Sequence, residues 1–199
     1  MSTTSLESEQ LSLHKLIESF GEMAKISVEA EKALMKIITK KGFKKKQILQ
    51  VEGKVSDQIY FVEKGIARTF YYKGGKEVTF WIAGENEFVG SLGSFFSRTP
   101  SNKCVETLED CTLWIFDYQK LEELYSNSKE LERMGRLFAS HGITILEKKF
   151  DDFHTMSAKE RYDALIKKHP KILQEVSLGI IASYLGITQE TLSRIRGQV

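Results

Sequence analysis

Apolar residues change their spacing twice along this chain, and the two changes divide it into three stretches. Up to about Gly42 they recur every three or four residues, first at Leu13, Leu16, Ile17 and Phe20 and then at Ala33, Leu34, Ile37 and Ile38. That spacing gathers them on one face of a helix. It predicts one amphipathic stretch over Leu13–Phe20. A second helix is expected with Ser27 as its N-cap, running through Glu29, Ala30 and Glu31 to near Thr39, with Gly42 closing it. From Phe43 to Asp117 the period falls to two. Strands are expected at Gln47–Val51, Gln58–Glu63, Ile66–Tyr72, Glu77–Ile82, Glu87–Val89, Lys103–Leu108 and Cys111–Asp117. Lys73-Gly74-Gly75-Lys76 is a strong hairpin signal, because paired glycines accept the positive φ of a two-residue turn. Seven short strands with regular turns predict an antiparallel sandwich or barrel.

After Asp117 the helical spacing returns. Tyr118–Tyr125 reads as a short helix and Lys129–Phe153 as a long one. Leu131, Met134, Phe138, His141 and Ile145 form a narrow seam along the long helix. A seam of that kind suits pairing with a second copy, and packing on the chain's own barrel is the alternative. At ~1.5 Å per residue such a helix spans nearly ~40 Å, long for one small domain, so a homodimer through Lys129–Phe153 is expected. Ser157-Ala158-Lys159-Glu160 is a capping box that opens a further helix, with Tyr162, Leu165 and Ile166 inward and His169-Pro170 ending it. Thr155–Met156 is the expected hinge.

The last stretch, Ser177 to Arg196, reads as two short helices around a tight turn. Ile180, Ile181, Tyr184 and Leu185 give the first an apolar face. Gly186 supplies the left-handed stop, and Thr188 caps the second, whose Leu192 and Ile195 face the core. Ala182 and Gly186 are small where the two helices are expected to cross. The pattern fits a helix-turn-helix with its second helix offered to the DNA major groove; an ordinary helical hairpin has the same spacing.

Composition narrows this picture a little. With 41% hydrophobic and 28% charged residues, the 199-residue chain has the makings of a folded core. A net charge of +2 does not by itself call for nucleic acid. Residues 156–199 carry seven Lys/Arg against four Asp/Glu, so the basic excess lies at the C-terminal end. Cys104 and Cys111 are the only cysteines and fall in expected strands, as buried thiols rather than a disulfide framework or metal cluster. The Ser/Thr/Glu-rich start is unlike a signal peptide, and no apolar run approaches the ~20 residues of a membrane span. A cytoplasmic protein without membrane partners is expected. No histidine occurs between Phe43 and Asp117, and no Ser/His/Asp or carboxylate pair is convincingly placed. No catalytic residue, no metal site and no enzymatic activity are expected.

Two motifs in this order, Phe88-Val89-Gly90-Ser91-Leu92-Gly93 and Thr188-Gln189-Glu190-Thr191-Leu192-Ser193-Arg194, carry a resemblance. The chain resembles, over nearly its whole length, the Crp–Fnr superfamily of bacterial transcription regulators, that of the cyclic-AMP receptor protein and the fumarate-nitrate reduction regulator. The resemblance implies an α+β fold with an antiparallel β-roll of the cyclic-nucleotide-binding type (a double-stranded β-helix). A long dimerisation helix and a C-terminal helix-turn-helix would follow. The implied domains are a sensor over 1–128, the dimer helix over 129–155 and a DNA-binding unit over 156–199 without the family's two-stranded wing.

The implied ligand pocket lies at Gly90, Ser91, Leu92, Ser101 and Asn102. A cyclic nucleotide is the cofactor the resemblance brings, but the residues depart from the cyclic AMP pattern. Ser91 stands where a Glu would hold the ribose, and Ser101-Asn102 where an Arg-Ser pair would hold the phosphate; Arg98 is near but out of register. Ile145 and Leu146 fall where hydroxyl side chains would meet adenine. Cyclic AMP binding in the usual way is therefore not expected, and the roll is left for another ligand or none. The N-terminal cysteine cluster of iron–sulfur members is absent, and His14, His141, His154 and His169 are scattered, with His141 expected to set register on the seam. The residues implied to read bases are Gln189, Glu190 and Arg194, with Thr188, Ser193 and Arg196 on phosphates. The implied partners are double-stranded palindromic DNA and RNA polymerase. The alternative is a ligand-sensing or protein-interaction module that has lost DNA binding.

Overall fold

The computed structural model describes residues 25–197. The stretch expected over Leu13–Phe20, with His14, lies outside them. The described chain opens on helix α1 (Val28–Ile37), capped by the Ser27 hydroxyl, which accepts the Ala30 N–H at 3.2 Å. The strands follow as β1 (Thr39–Phe43), β2 (Ile48–Gln50), β3 (Gln58–Lys64), β4 (Ala67–Lys73), β5 (Lys76–Ala83) and β6 (Phe88–Val89). A short helix α2 (Leu92–Ser97) precedes β7 (Cys104–Thr107) and β8 (Cys111–Asp117). Then come α3 (Tyr118–Asn127), the long α4 (Lys129–Thr155), α5 (Ala158–Lys168), α6 (Ile172–Glu175), α7 (Leu178–Leu185) and α8 (Gln189–Arg196).

The strands form two four-stranded antiparallel sheets, ordered β1-β8-β3-β6 and β2-β7-β4-β5. The β4–β5 hairpin turns at Gly74 and Gly75, both at positive φ (59° and 75°), as the Lys73–Lys76 signal requires. β1 differs from expectation. Thr39–Phe43 is not the tail of α1 but a strand paired with β8, from Thr39 opposite Ile115 to Phe43 opposite Cys111. Lys40-Lys41-Gly42 hides it, because an edge strand with one neighbour keeps charged side chains in water and shows no alternation.

Three apolar cores hold these layers. Between the sheets lie Tyr60, Val62, Ala67, Ala83, Val105 and Leu113. On the outer side of the first sheet, Ile59, Phe61, Trp114 and Phe116 pack with Leu34 of α1, Leu121 of α3, and Leu131 and Met134 of α4. Ile66, Ile82 and Leu108 join Tyr162, Leu165, Ile172, Ile181, Leu185, Leu192 and Ile195 of the C-terminal helices. Alternate strand residues fill the roll, and apolar residues on the outer faces, such as Phe61 and Ile82, meet helices. The two cysteines are buried free thiols.

The seam on α4 divides. Leu131 and Met134 are buried in the chain's own core, and Phe138 stacks on Phe88 with ring centroids 4.6 Å apart. The first half of the seam is therefore spent within the chain rather than on a second copy. A different stripe, Ile143, Leu146, Phe150 and Phe153, stays exposed.

Candidate functional site

The Gly90–Asn102 segment folds as a tight cassette. Gly90 sits under β3, where a Cβ would come within 3.0 Å of Ile59 Cγ2. Its carbonyl accepts the Thr69 hydroxyl at 3.2 Å. Ser91 and Ser101 are both buried, and their hydroxyl oxygens lie 2.8 Å apart. Ser101 Oγ also accepts the Lys103 N–H at 2.9 Å. The two positions that the resemblance assigns to a carboxylate and a guanidinium thus satisfy each other. Asn102 is exposed, and its Oδ1 accepts from Lys103 Nζ at 3.4 Å. Arg98 points elsewhere: it donates to the Ser56 carbonyl at 2.8 Å, pairs with Asp57 and lies 3.9 Å over the Tyr118 ring. Those contacts pin the end of α2 to the loop before β3.

Gly90, Ser91 and Leu92 border a groove of about 730 Å³ between the roll, α4 and the C-terminal helices. Lys149 stands at its centre. Its ammonium donates to the Phe80 carbonyl and lies 4.0 Å from the Tyr184 ring, 4.9 Å from Trp81 and 5.9 Å from Phe153. Burial pushes Lys149 down to about 7, and neighbouring Lys168 adds repulsion. Lys168 pairs with Glu87, and Glu87 also lies 3.4 Å from His169. His141, Ile145 and Leu146 also line this groove. No local pattern marks this lysine: Lys149 looks like Lys148 until Trp81 and Tyr184 close over it.

At the C-terminal end, Ser177 caps α7 and Gly186 ends it at φ 68°. The Thr188 hydroxyl accepts the Thr191 N–H at 3.2 Å and opens α8. Thr188, Gln189, Glu190, Ser193, Arg194 and Arg196 are all exposed, while Leu192 and Ile195 are buried. The close crossing differs from expectation. Ala182 is buried, but Gly186 abuts the Phe153 ring, where a Cβ would meet Cε1 at 3.0 Å. Gly179 is what lets Gln189 approach, with Nε2 2.9 Å from where a Cβ would stand. The helical unit rests on the roll through α7: Ser183 Oγ accepts the Thr79 N–H at 2.9 Å. Arg161 ties α5 to both neighbours, donating to the Met156 carbonyl at 2.6 Å and the Leu185 carbonyl at 3.1 Å. Among the described residues, no three His, Cys, Asp or Glu are grouped to hold a metal ion, and no helix is long and apolar enough to cross a membrane.

Residues 40–128 match the cyclic nucleotide-binding domain family. No curated protein matches the chain. Solved structures of Crp/Fnr regulators share the fold over most of its length. FixK2 from Bradyrhizobium japonicum is 19% identical with a TM-score of 0.66, covering 81% of this chain and 84% of its own. The c-di-GMP-responsive global regulator CLP of Xanthomonas campestris is 15% identical with a TM-score of 0.61, covering 86% and 91%. The catabolite activator protein of Thermus thermophilus is 18% identical with a TM-score of 0.56, covering 90% and 85%.

Proposed function

We propose that this chain, a cyclic nucleotide-binding domain within a Crp/Fnr-like fold, is a homodimeric, sequence-specific DNA-binding transcription regulator of the cytoplasm. The observation that carries this reading is the face of α8. Its exposed side offers Gln189, Glu190, Ser193 and Arg194 together, while Leu192 and Ile195 anchor the helix behind them. Gln suits adenine, Glu accepts from cytosine N4 and Arg forks onto guanine O6 and N7. Thr188, Ser193 and Arg196 suit phosphates, which position the helix without reading sequence. Selection of bound DNA from a random pool is expected to enrich a two-fold symmetric site. No enriched half-site would favour the rival reading, a sensing or interaction module without DNA, for which the docking of α7 on β5 speaks.

Arg194→Ala is expected to relax preference at one base pair of the enriched site by ~1–3 kcal/mol. Competition with single-base variants measures this. An equal loss on every sequence would make Arg194 a phosphate contact instead.

The roll's ligand is not cyclic AMP in this reading. Ser91 and Ser101 bond each other where a nucleotide needs a carboxylate and a cation. A phosphate held at Ser91 and Ser101 would meet two hydroxyls and no guanidinium, and a buried charge without its partner there costs several kcal/mol. Calorimetric titration with cyclic AMP is expected to give no micromolar binding, and such binding would overturn the assignment. The regulatory movement would be a change of angle at Thr155–Met156, where α4 ends and Met156 turns extended. It would bring two copies of α8 to or from a ~34 Å spacing, one turn of DNA. RNA polymerase is the further partner such a regulator would meet.

A further inference from the structure

We infer that Lys149 is a site of covalent modification: its amine takes the acyl group of a small activated acyl compound, an acyl phosphate or a thioester. The reaction depends on this side chain and its surroundings alone, and stands apart from the DNA-binding reading.

The surroundings come first. Lys148 and Lys149 are neighbours on α4, and the fold treats them differently. The Lys148 side chain is 78% exposed and pairs with Asp152 at 3.7 Å. Lys149 is half-buried, with its nitrogen 4.0 Å from the Tyr184 ring, 4.9 Å from Trp81 and 5.5 Å from Phe80. Among the described residues, no carboxylate pairs with it, and its hydrogen-bond acceptor is the Phe80 carbonyl. A protonated amine has three N–H groups to satisfy, and one carbonyl does not satisfy them. The charged groups that face Lys149 from other elements do not make up the difference. Lys168 and Arg161 come from α5, Lys103 from the loop before β7, and Glu87 from the turn before β6. Glu87 is held by Lys168 and lies 3.4 Å from His169. Tyr184 of α7 stays a neutral phenol, pushed up to about 12 by burial. On α4 itself, Asp152 is taken by Lys148, and His141 is the other titratable group on the groove. Burial and then Lys168 hold the Lys149 amine at about 7.

That amine is a nucleophile near neutral pH. Only the unprotonated form has the lone pair that attacks a carbonyl carbon. A hydrated lysine titrates near ~10.4, so roughly one amine in 2,500 is neutral at about pH 7, against about half for Lys149. A less basic nucleophile is also a weaker one, and a Brønsted slope of ~0.5, as thiols show, takes back about fiftyfold. The balance leaves Lys149 ahead by about 25-fold. Room is available: the groove of about 730 Å³ lies in the range of small-molecule sites, ~300–1,000 Å³, and Phe80, Trp81 and Phe153 suit a short acyl chain.

The step balances without a further reagent. The nitrogen lone pair attacks the acyl carbon and a C–N bond forms. The C–O bond to phosphate, or the C–S bond of the thioester, breaks, and phosphate or thiolate leaves with that electron pair. The nitrogen gives up one proton to water. The product is an uncharged amide that keeps an N–H for the Phe80 carbonyl, so it suits the aromatic walls better than an ammonium does.

The test treats the full chain at about pH 7 with acetyl phosphate and, in a parallel arm, with the uncharged thioester S-acetyl-N-acetylcysteamine. Peptide mass spectrometry with fragmentation follows acetylation of Lys149 and of Lys148, which shares the groove and the local sequence. Lys149 is expected to react about tenfold or more faster than Lys148. Its rate should level off above about pH 8, while that of Lys148 goes on rising through about pH 9. In the urea-unfolded chain the two lysines should react alike, a reference that needs no variant to fold. Selection of Lys149 by both reagents supports either donor, and selection by one alone narrows the donor to that class. Equal acetylation of the two lysines in the folded chain by both reagents overturns the proposal. So does a Lys149 rate that climbs with pH in parallel with that of Lys148.

Discussion

Replacing Arg68 by Ala is expected to destabilise the β-roll by about 3–5 kcal/mol, the range measured when one partner of a buried ion pair is removed. The Arg68 side chain is only 4% exposed. Its Nε donates to Glu106 at 2.6 Å, its Nη1 to the Thr79 hydroxyl at 3.1 Å, and its Nη2 pairs with Glu77. The guanidinium also lies 4.2 Å over the Phe70 ring. Alanine would leave Glu106, 14% exposed, facing a space with no cation. The loss would therefore exceed the value of the contacts themselves. Urea unfolding measures it. Pairing Arg68→Met with Glu106→Gln should recover much of the loss, because no buried charge is then left alone. Lys44→Ala is the control: the Lys44–Asp110 pair has side chains 87% and 62% exposed, and removing it should leave the unfolding midpoint in place. If Arg68→Ala behaves like Lys44→Ala, the buried network does not hold the sheet.

Arg68 also shows which parts of this molecule the sequence made legible. Local chemistry was readable. The Ser27, Ser157 and Thr188 caps, the Glu160 capping box and the Gly186 stop all form within three or four residues. A short residue pattern contains everything such a cap needs. Arg68 depends on Glu106, 38 residues away and brought beside it by β4–β7 pairing, so no local pattern announces it. Lys149 depends in the same way on Trp81 and Tyr184. The α4 seam lies between these cases. Spacing identified a helix with apolar stripes, but not which stripe meets the roll. That choice follows from where Phe88, Phe116 and α1 lie in three dimensions. The candidate pocket positions were readable as a departure from a pattern; the bond that joins Ser91 to Ser101 was not.

The same division of α4 fixes the second large effect. Ile143→Asp combined with Phe150→Asp is expected to convert a dimer into a monomer and to remove specific DNA binding. Ile143 is 67% exposed and Phe150 is 65% exposed, one heptad apart with Leu146 between them. Residues at those steps form a seam of the coiled-coil kind, and water gains nothing by covering it. Neither residue borders the groove or any of the three cores, so the substitutions should leave the protomer folded. Two carboxylates on each side of a two-fold seam would be both desolvated and mutually repelled. A lone α8 then reads one half-site. Specific binding should fall toward the non-specific level, a loss of at least ~10³ in affinity. Sedimentation gives the mass and gel shift on the selected site gives the affinity. A variant that stays dimeric would move the interface off this stripe. A true monomer with parental affinity would mean that one copy of α8 suffices, and the proposed two-fold delivery of recognition helices would be wrong.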